Sequence, residues 1–225
     1  MHSSKESGTK ELLKPQIRAV IFDLDGLLID SEPIWDQAYY NMLEKKGLKD
    51  QIVKDTSGMG LKEFIEIWKK YGLVGDTDEL LKEYRKTFYE ILMEKDIPVM
   101  DGVNELLIKL EGHYQLAVAT GGHTKEKCSQ ILKNLRIDGY FDVVVSSDDV
   151  KEGKPAPDVY IYTAEKLGVE SAKCLVLEDS INGVLSARAA QAEVFGVNPD
   201  EKTREQLDKA GADRVFKSLS EVQIP

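Results

Sequence analysis

Five short apolar runs, at positions 19–22, 116–119, 143–145, 174–177 and 194–197, constrain what this 225-residue chain can fold into. Each is long enough for one strand and too short for a helix. None alternates apolar with polar residues, so both faces of each strand must be covered. Segments 125–135, 158–167, 181–190 and 203–210 carry apolar residues at helical spacing and stand between or after those runs. Strands alternating with helices pair as right-handed crossovers. The pattern therefore predicts α/β architecture, a Rossmann-like parallel sheet wound on both faces by helices.

The interval between the first two runs breaks that rhythm. Glu32-Pro33 opens a helix, because proline suits a first helical turn, and Trp35, Ala38, Tyr39, Met42 and Leu43 then recur at helical spacing up to Gly47. After a flexible break at 57–60, Leu61, Phe64, Ile65, Trp68 and Tyr71 mark a second amphipathic helix. Leu80, Leu81, Tyr84, Phe88, Ile91 and Leu92 mark a third. The expected organisation is a flexible polar tail at 1–14, an α/β core formed by 15–32 and 97–225, and an inserted all-helical domain at 33–96. Asp101 is the expected N-cap of a helix whose stripe is Val103, Leu106, Leu107 and Leu110.

A formal charge of −10 argues against a nucleic-acid partner. An anionic substrate must then be drawn in locally, by a few cations and backbone dipoles. Cys128 and Cys174 make no metal-binding spacing and read as free thiols of a reducing compartment. No run approaches the ~20 apolar residues of a membrane span, and the first residues lack the apolar centre of a signal peptide. A cytoplasmic monomer with no membrane partner is the expectation.

Ligands of an open parallel sheet bind at the carboxyl ends of its strands. The first run ends in Asp23 and Asp25, whose spacing can point both side chains the same way, followed by Gly26 for a sharp turn. Two such carboxylates raise each other's pKa unless a cation is shared, so the pair predicts a divalent metal, or a nucleophile with a neighbouring acid. The second run ends in Thr120-Gly121-Gly122, which can aim a hydroxyl, backbone N–H groups and a helix N-terminus at an anion. The third is followed by Gly153-Lys154-Pro155, which fixes a cation beside a stiff turn. The fourth ends in Glu178-Asp179, a second carboxylate pair. Each feature alone has a bland reading, as a helix cap, an ordinary loop or a surface lysine. Converging on one sheet edge, they make an oxygen cage for Mg2+ beside an anion cradle.

The stretch Asp23-Leu24-Asp25-Gly26-Leu27-Leu28-Ile29-Asp30-Ser31-Glu32 resembles the first motif of the haloacid dehalogenase-like (HAD) phosphotransferases, and the other three strand ends match that superfamily's later motifs in order and type. The resemblance implies that Asp23 is a nucleophile forming an aspartyl-phosphate, and that Asp25 is first acid and then base. It gives Thr120, Gly121 and Lys154 to the phosphate. It gives Asp23, the Asp25 carbonyl, Glu178 and Asp179 to Mg2+. It also implies that the helical insertion is a cap over the site, with Trp35, one turn into its first helix, a candidate contact to a small phosphorylated substrate. Lys62, just after the break at 57–60, is a second candidate contact, with a solvated lysine as the favoured reading. Within the superfamily the chain looks most like phosphatases of sugar phosphates and pseudouridine 5′-phosphate. The rival is a β-phosphoglucomutase-like enzyme, which typically has a histidine where this chain has Trp35. A phosphometabolite-binding module without turnover is a third reading, which has no need of Asp25. Two departures are Gly121, where a serine is frequent, and Ala189-Ala190-Gln191 in place of Ala-Ala-Gly.

Overall fold

The computed structural model describes residues 16–48, 61–94 and 97–224. The tail expected at 1–14 and the break at 57–60 lie outside them. β1 (Ala19–Phe22) is followed by three helices, α1 (Glu32–Lys45), α2 (Leu61–Lys70) and α3 (Thr77–Glu94). The chain continues through α4 (Val103–Leu110), β2 (Gln115–Thr120), α5 (Lys125–Asn134), β3 (Val143–Ser146) and α6 (Asp158–Leu167). It ends with β4 (Cys174–Glu178), α7 (Ile181–Ala189), β5 (Glu193–Val197), α8 (Glu201–Lys209) and β6 (Arg214–Phe216).

The sheet order is β3-β2-β1-β4-β5-β6, and every pairing is parallel. β1 is flanked by β2 and β4, with Phe22 in register with Val118 and Leu177. The winding therefore reverses at β1, and the crevice of a doubly wound sheet opens at its carboxyl end. Alternation splits the apolar runs between two cores. Val20, Phe22, Val118 and Leu177 pack on one face with α4 and α5, while Ala19, Ile21, Ala117 and Val176 pack on the other with α6 and α7. This is the two-sided burial that unbroken apolar runs require.

α1, α2 and α3 bury their stripes in a cluster of their own, with Trp68 fully enclosed. The chain leaves and re-enters the sheet layer side by side: Asp30 N–H donates to the Pro98 carbonyl at 3.2 Å, and Met100 N–H to that of Leu28 at 3.0 Å. Among the described residues no helix is long and apolar enough to cross a membrane.

Three local expectations are corrected. β6 has no counterpart among the apolar runs, because this three-residue edge strand includes the exposed Arg214 and is only partly buried. α2 stops at Lys70, leaving Tyr71 exposed beyond it. The cap of α4 is Gly102 at φ 83°, not Asp101, whose carboxylate instead accepts from Ser220 Oγ at 3.1 Å. A Cβ on Gly102 would lie 2.1 Å from the Ser220 nitrogen, in a backbone conformation unsuited to L side chains. Gly102→Ala should therefore cost about 1–3 kcal/mol. A lowered denaturation midpoint checks this, and a midpoint equal to wild type would contradict the backbone argument.

Candidate active site

All four strand-end features meet at the carboxyl edge of β1, β2 and β4. Asp23 extends β1 by one hydrogen bond, its N–H donating to the Leu177 carbonyl at 3.1 Å. The Lys154 ammonium reaches in from the loop before α6 and donates to Asp23 Oδ1 at 2.5 Å, Glu178 Oε1 at 2.6 Å and the Ala119 carbonyl at 3.2 Å. It thus ties together the ends of β1, β2 and β4. Glu178 is fully enclosed: Tyr160 OH donates to Oε1 at 2.6 Å, while the N–H groups of Asp179 and Ser180 and the Ser180 hydroxyl donate to Oε2 at 3.0–3.1 Å.

Asp23, Glu178 and Asp179 each offer an oxygen within 4.8 Å of the others. Among the described residues one ammonium, that of Lys154, faces these three carboxylates, so they cannot all ionise without a further cation. Burial pushes the Asp23 carboxyl up to about 8 against the pull of Lys154, with Glu178 and Asp25 adding to the rise. Burial, then Glu178 and Asp23, drive Asp179 well above the carboxylate range. Burial opposes ionisation of Glu178 too, but Lys154, Tyr160 and the Ser180 N–H outweigh it and hold that carboxyl low. The contrast between Asp23 and Glu178, both touching Lys154, follows from the extra donors on Glu178. An all-oxygen, acidic and partly uncompensated donor set fits a hard divalent cation.

Two glycines make the approach possible. Gly26 has φ 75°, and a Cβ there would stand 2.1 Å from Asp179 Oδ2. A Cβ on Gly183, in the first turn of α7, would stand 1.8 Å from Glu178 Cδ.

The Asp25 side chain turns away from this cluster. Ser31 Oγ, Trp35 Nε1 and His123 Nε2 all lie within hydrogen-bond distance of its Oδ1, at 2.6, 3.1 and 3.0 Å. Burial disfavours the carboxylate, but His123, Ser31 and Trp35 outweigh it and hold Asp25 below the usual range. Because the Ser31 hydroxyl is engaged with Asp25, α1 begins without a side-chain cap. The sequence reading missed His123, which is fully buried, and Tyr89, whose hydroxyl lies 2.9 Å from His123 Nδ1. A histidine directly after Thr120-Gly121-Gly122 was the available signal. Tyr89 carries none, since a tyrosine at helical spacing reads as packing.

Thr120 is the last residue of β2, and its Oγ1 is buried with no hydrogen-bond partner. Gly121 is exposed, and a Cβ there would meet only Ser147 Oγ, at 3.7 Å. Trp35 packs against Phe88, ring centres 3.8 Å apart, and takes the Tyr84 hydroxyl on its carbonyl at 3.1 Å. Lys62 is not brought to the site: α2 turns Phe64, Ile65 and Trp68 to the helical cluster, and Lys62 points outward with its ammonium 3.9 Å from Asp78.

Comparison with known proteins adds a family. Residues 20–197 match the family described as haloacid dehalogenase-like hydrolase. The chain is 34% identical over 205 residues to a phosphorylated carbohydrates phosphatase of Thermotoga maritima, covering 87% of this chain and 92% of that one. It is also 34% identical over 183 residues to hexitol phosphatase B of Escherichia coli, covering 78% and 81%. A structure of CbbY from Rhodobacter sphaeroides in complex with xylulose-(1,5)bisphosphate superposes with a TM-score of 0.77 at 25% identity, covering 92% and 96%.

Proposed function

The chain belongs to the haloacid dehalogenase-like hydrolase family, and from that premise we propose that it is a Mg2+-dependent phosphatase of small phosphorylated carbohydrates, acting through Asp23. The observation that carries the reading is the Lys154 ammonium fixed between Asp23 and Glu178, at the same sheet edge as the unpartnered Thr120 hydroxyl. A charged donor and a free hydroxyl beside a carboxylate nucleophile are what a transferring phosphoryl group needs.

Asp23, Glu178, Asp179 and the Asp25 carbonyl would hold Mg2+, which when bound neutralises charge between the nucleophile and the anionic substrate. Asp23 attacks phosphorus and becomes an aspartyl-phosphate. Lys154 and Thr120 hold phosphoryl oxygens, with Gly121 lending its backbone N–H. Burial works against the charge on Lys154, but Asp23 and Glu178 raise its pKa well above the ordinary value, so it stays a cation. Asp25 gives a proton to the leaving oxygen and later takes one from the water that releases phosphate. Its donors keep it ionised at rest; an arriving phosphate raises its proton affinity, so it takes up a proton from solvent, gives that proton to the leaving oxygen and is left ionised as the base for the second step. The layer of α1, α2 and α3 acts as the cap, excluding water while Trp35 closes over Asp25.

The relatives named for phosphorylated carbohydrates and a hexitol support the substrate class. Trp35, where a mutase typically has histidine, counts against the mutase. The test is phosphate release from sugar phosphates, nucleoside monophosphates and p-nitrophenyl phosphate, with Mg2+ and with EDTA. Release that requires the metal and favours sugar phosphates is expected. Slow release with conversion between sugar phosphates would mean a mutase, and binding without turnover would mean a binding module.

Gly183 offers an independent check. Gly183→Ala drives a methyl group into the Glu178 carboxyl without demanding an unusual backbone. Activity or metal affinity should fall by about 10–100-fold while the circular dichroism spectrum is kept. An unchanged Mg2+ titration of activity would remove Glu178 from the metal site.

A further inference from the structure

We infer that His123 is a positioning residue for this reaction: it fixes the Asp25 carboxylate so that Oδ1 is held and Oδ2 is left to move the proton. The inference rests on the phosphatase reading above. Three donors converge on Oδ1, and among the described residues none reaches Oδ2. Gly122 keeps the space beside Oδ2 open, since a Cβ there would stand 3.1 Å from it. Ser31 and Trp35 lie just after Asp25 in the chain and move with its own loop and α1. His123 alone brings a donor from another strand end.

The histidine is itself immobilised. Its carbonyl accepts from Ser146 Oγ at 2.5 Å, and its ring is packed among Trp35, Phe88 and Tyr89 with centroids 5.2–5.7 Å apart. The Tyr89 hydroxyl, which burial keeps protonated, lies 2.9 Å from His123 Nδ1 and can donate to it. A ring that accepts at Nδ1 carries its proton on Nε2, where it faces Asp25 Oδ1. Tyr89 of α3 therefore selects the tautomer that lets His123 hold Asp25, and the helical layer shares in orienting the proton-transfer group.

The test measures kcat and KM on p-nitrophenyl phosphate with Mg2+ for His123→Leu, His123→Gln and Tyr89→Phe. Leucine fills the space without a donor and should lower kcat roughly 10²-fold, with KM within about threefold of wild type. Glutamine restores an N–H near the Nε2 position and should recover at least about tenfold of that loss. Tyr89→Phe removes one hydroxyl and should lower kcat by about tenfold, again without moving KM. Equal activities for leucine and glutamine, a change confined to KM, or a Tyr89→Phe variant matching wild type would each overturn the role. Should His123→Leu fail to fold, Tyr89→Phe decides by the same criterion. A wild type silent on every phosphate overturns the phosphatase reading and this role with it, whereas an active wild type matched by its variants overturns the role alone.

Discussion

Asp23→Asn should reduce phosphate release by roughly 10⁴- to 10⁶-fold, the loss seen when a nucleophile is removed from a covalent mechanism. The amide keeps the volume of the carboxylate but cannot form the aspartyl-phosphate. The protein should stay folded. Asp23 and the buried Glu178 share one ammonium, with the half-buried Asp179 beside them, and without metal the Asp23 carboxyl is raised to about 8, so at neutral pH the amide replaces a largely neutral group. Lys154 keeps its contact with Glu178 at 2.6 Å. Unfolding followed in EDTA should therefore give a midpoint at or above that of wild type. A variant retaining more than about a hundredth of wild-type turnover would rule Asp23 out as the nucleophile.

The residues gathered at this sheet edge were legible in the sequence because each sits where a strand stops or in the loop that follows one. Apolar runs are a strong signal, and what ends them is conspicuous: Asp23, Thr120, Glu178 and Asp179 were all found in this way, and Lys154 by its rigid Gly-Lys-Pro setting. The sheet followed from the same runs, except β6, whose three residues include an exposed arginine. Contacts made by residues inside periodic segments were invisible. Tyr89 occupies a helix at ordinary spacing, and only the packing of α3 against the loop after β2 turns its hydroxyl toward His123. Lys62 shows the converse. A lysine after a flexible break invites a functional reading, but the burial of Phe64, Ile65 and Trp68 fixes the rotation of α2 and sends it outward.

Lys154→Met should lower kcat by about 10²–10³-fold, because a charged donor to the phosphoryl group is gone, and should also weaken the fold in a way that depends on pH. Both of its carboxylate partners are buried, and stripping one charge from a buried ion pair costs about 3–5 kcal/mol. The sign with pH follows from proton binding. In the metal-free wild type the Asp23 carboxyl is raised to about 8, so between about pH 4 and about pH 8 the folded protein keeps a proton that the unfolded chain has released. Stability therefore falls as pH rises through that window. Asp179, also raised, adds to the fall. Glu178 and Asp25 are depressed, so their contribution is present above the ordinary carboxylate pKa and lost as pH drops below it. Without Lys154, Asp23 and Glu178 lose their cation and bind protons more tightly, which steepens the alkaline loss. Thermal unfolding in EDTA between about pH 5 and about pH 9 should show the variant nearest to wild type at the acid end and furthest below it at the alkaline end. Mg2+ should narrow the alkaline gap, since the cluster would then have a cation again. A variant whose midpoint ran parallel to that of wild type across the range would mean that Lys154 does not balance these carboxylates.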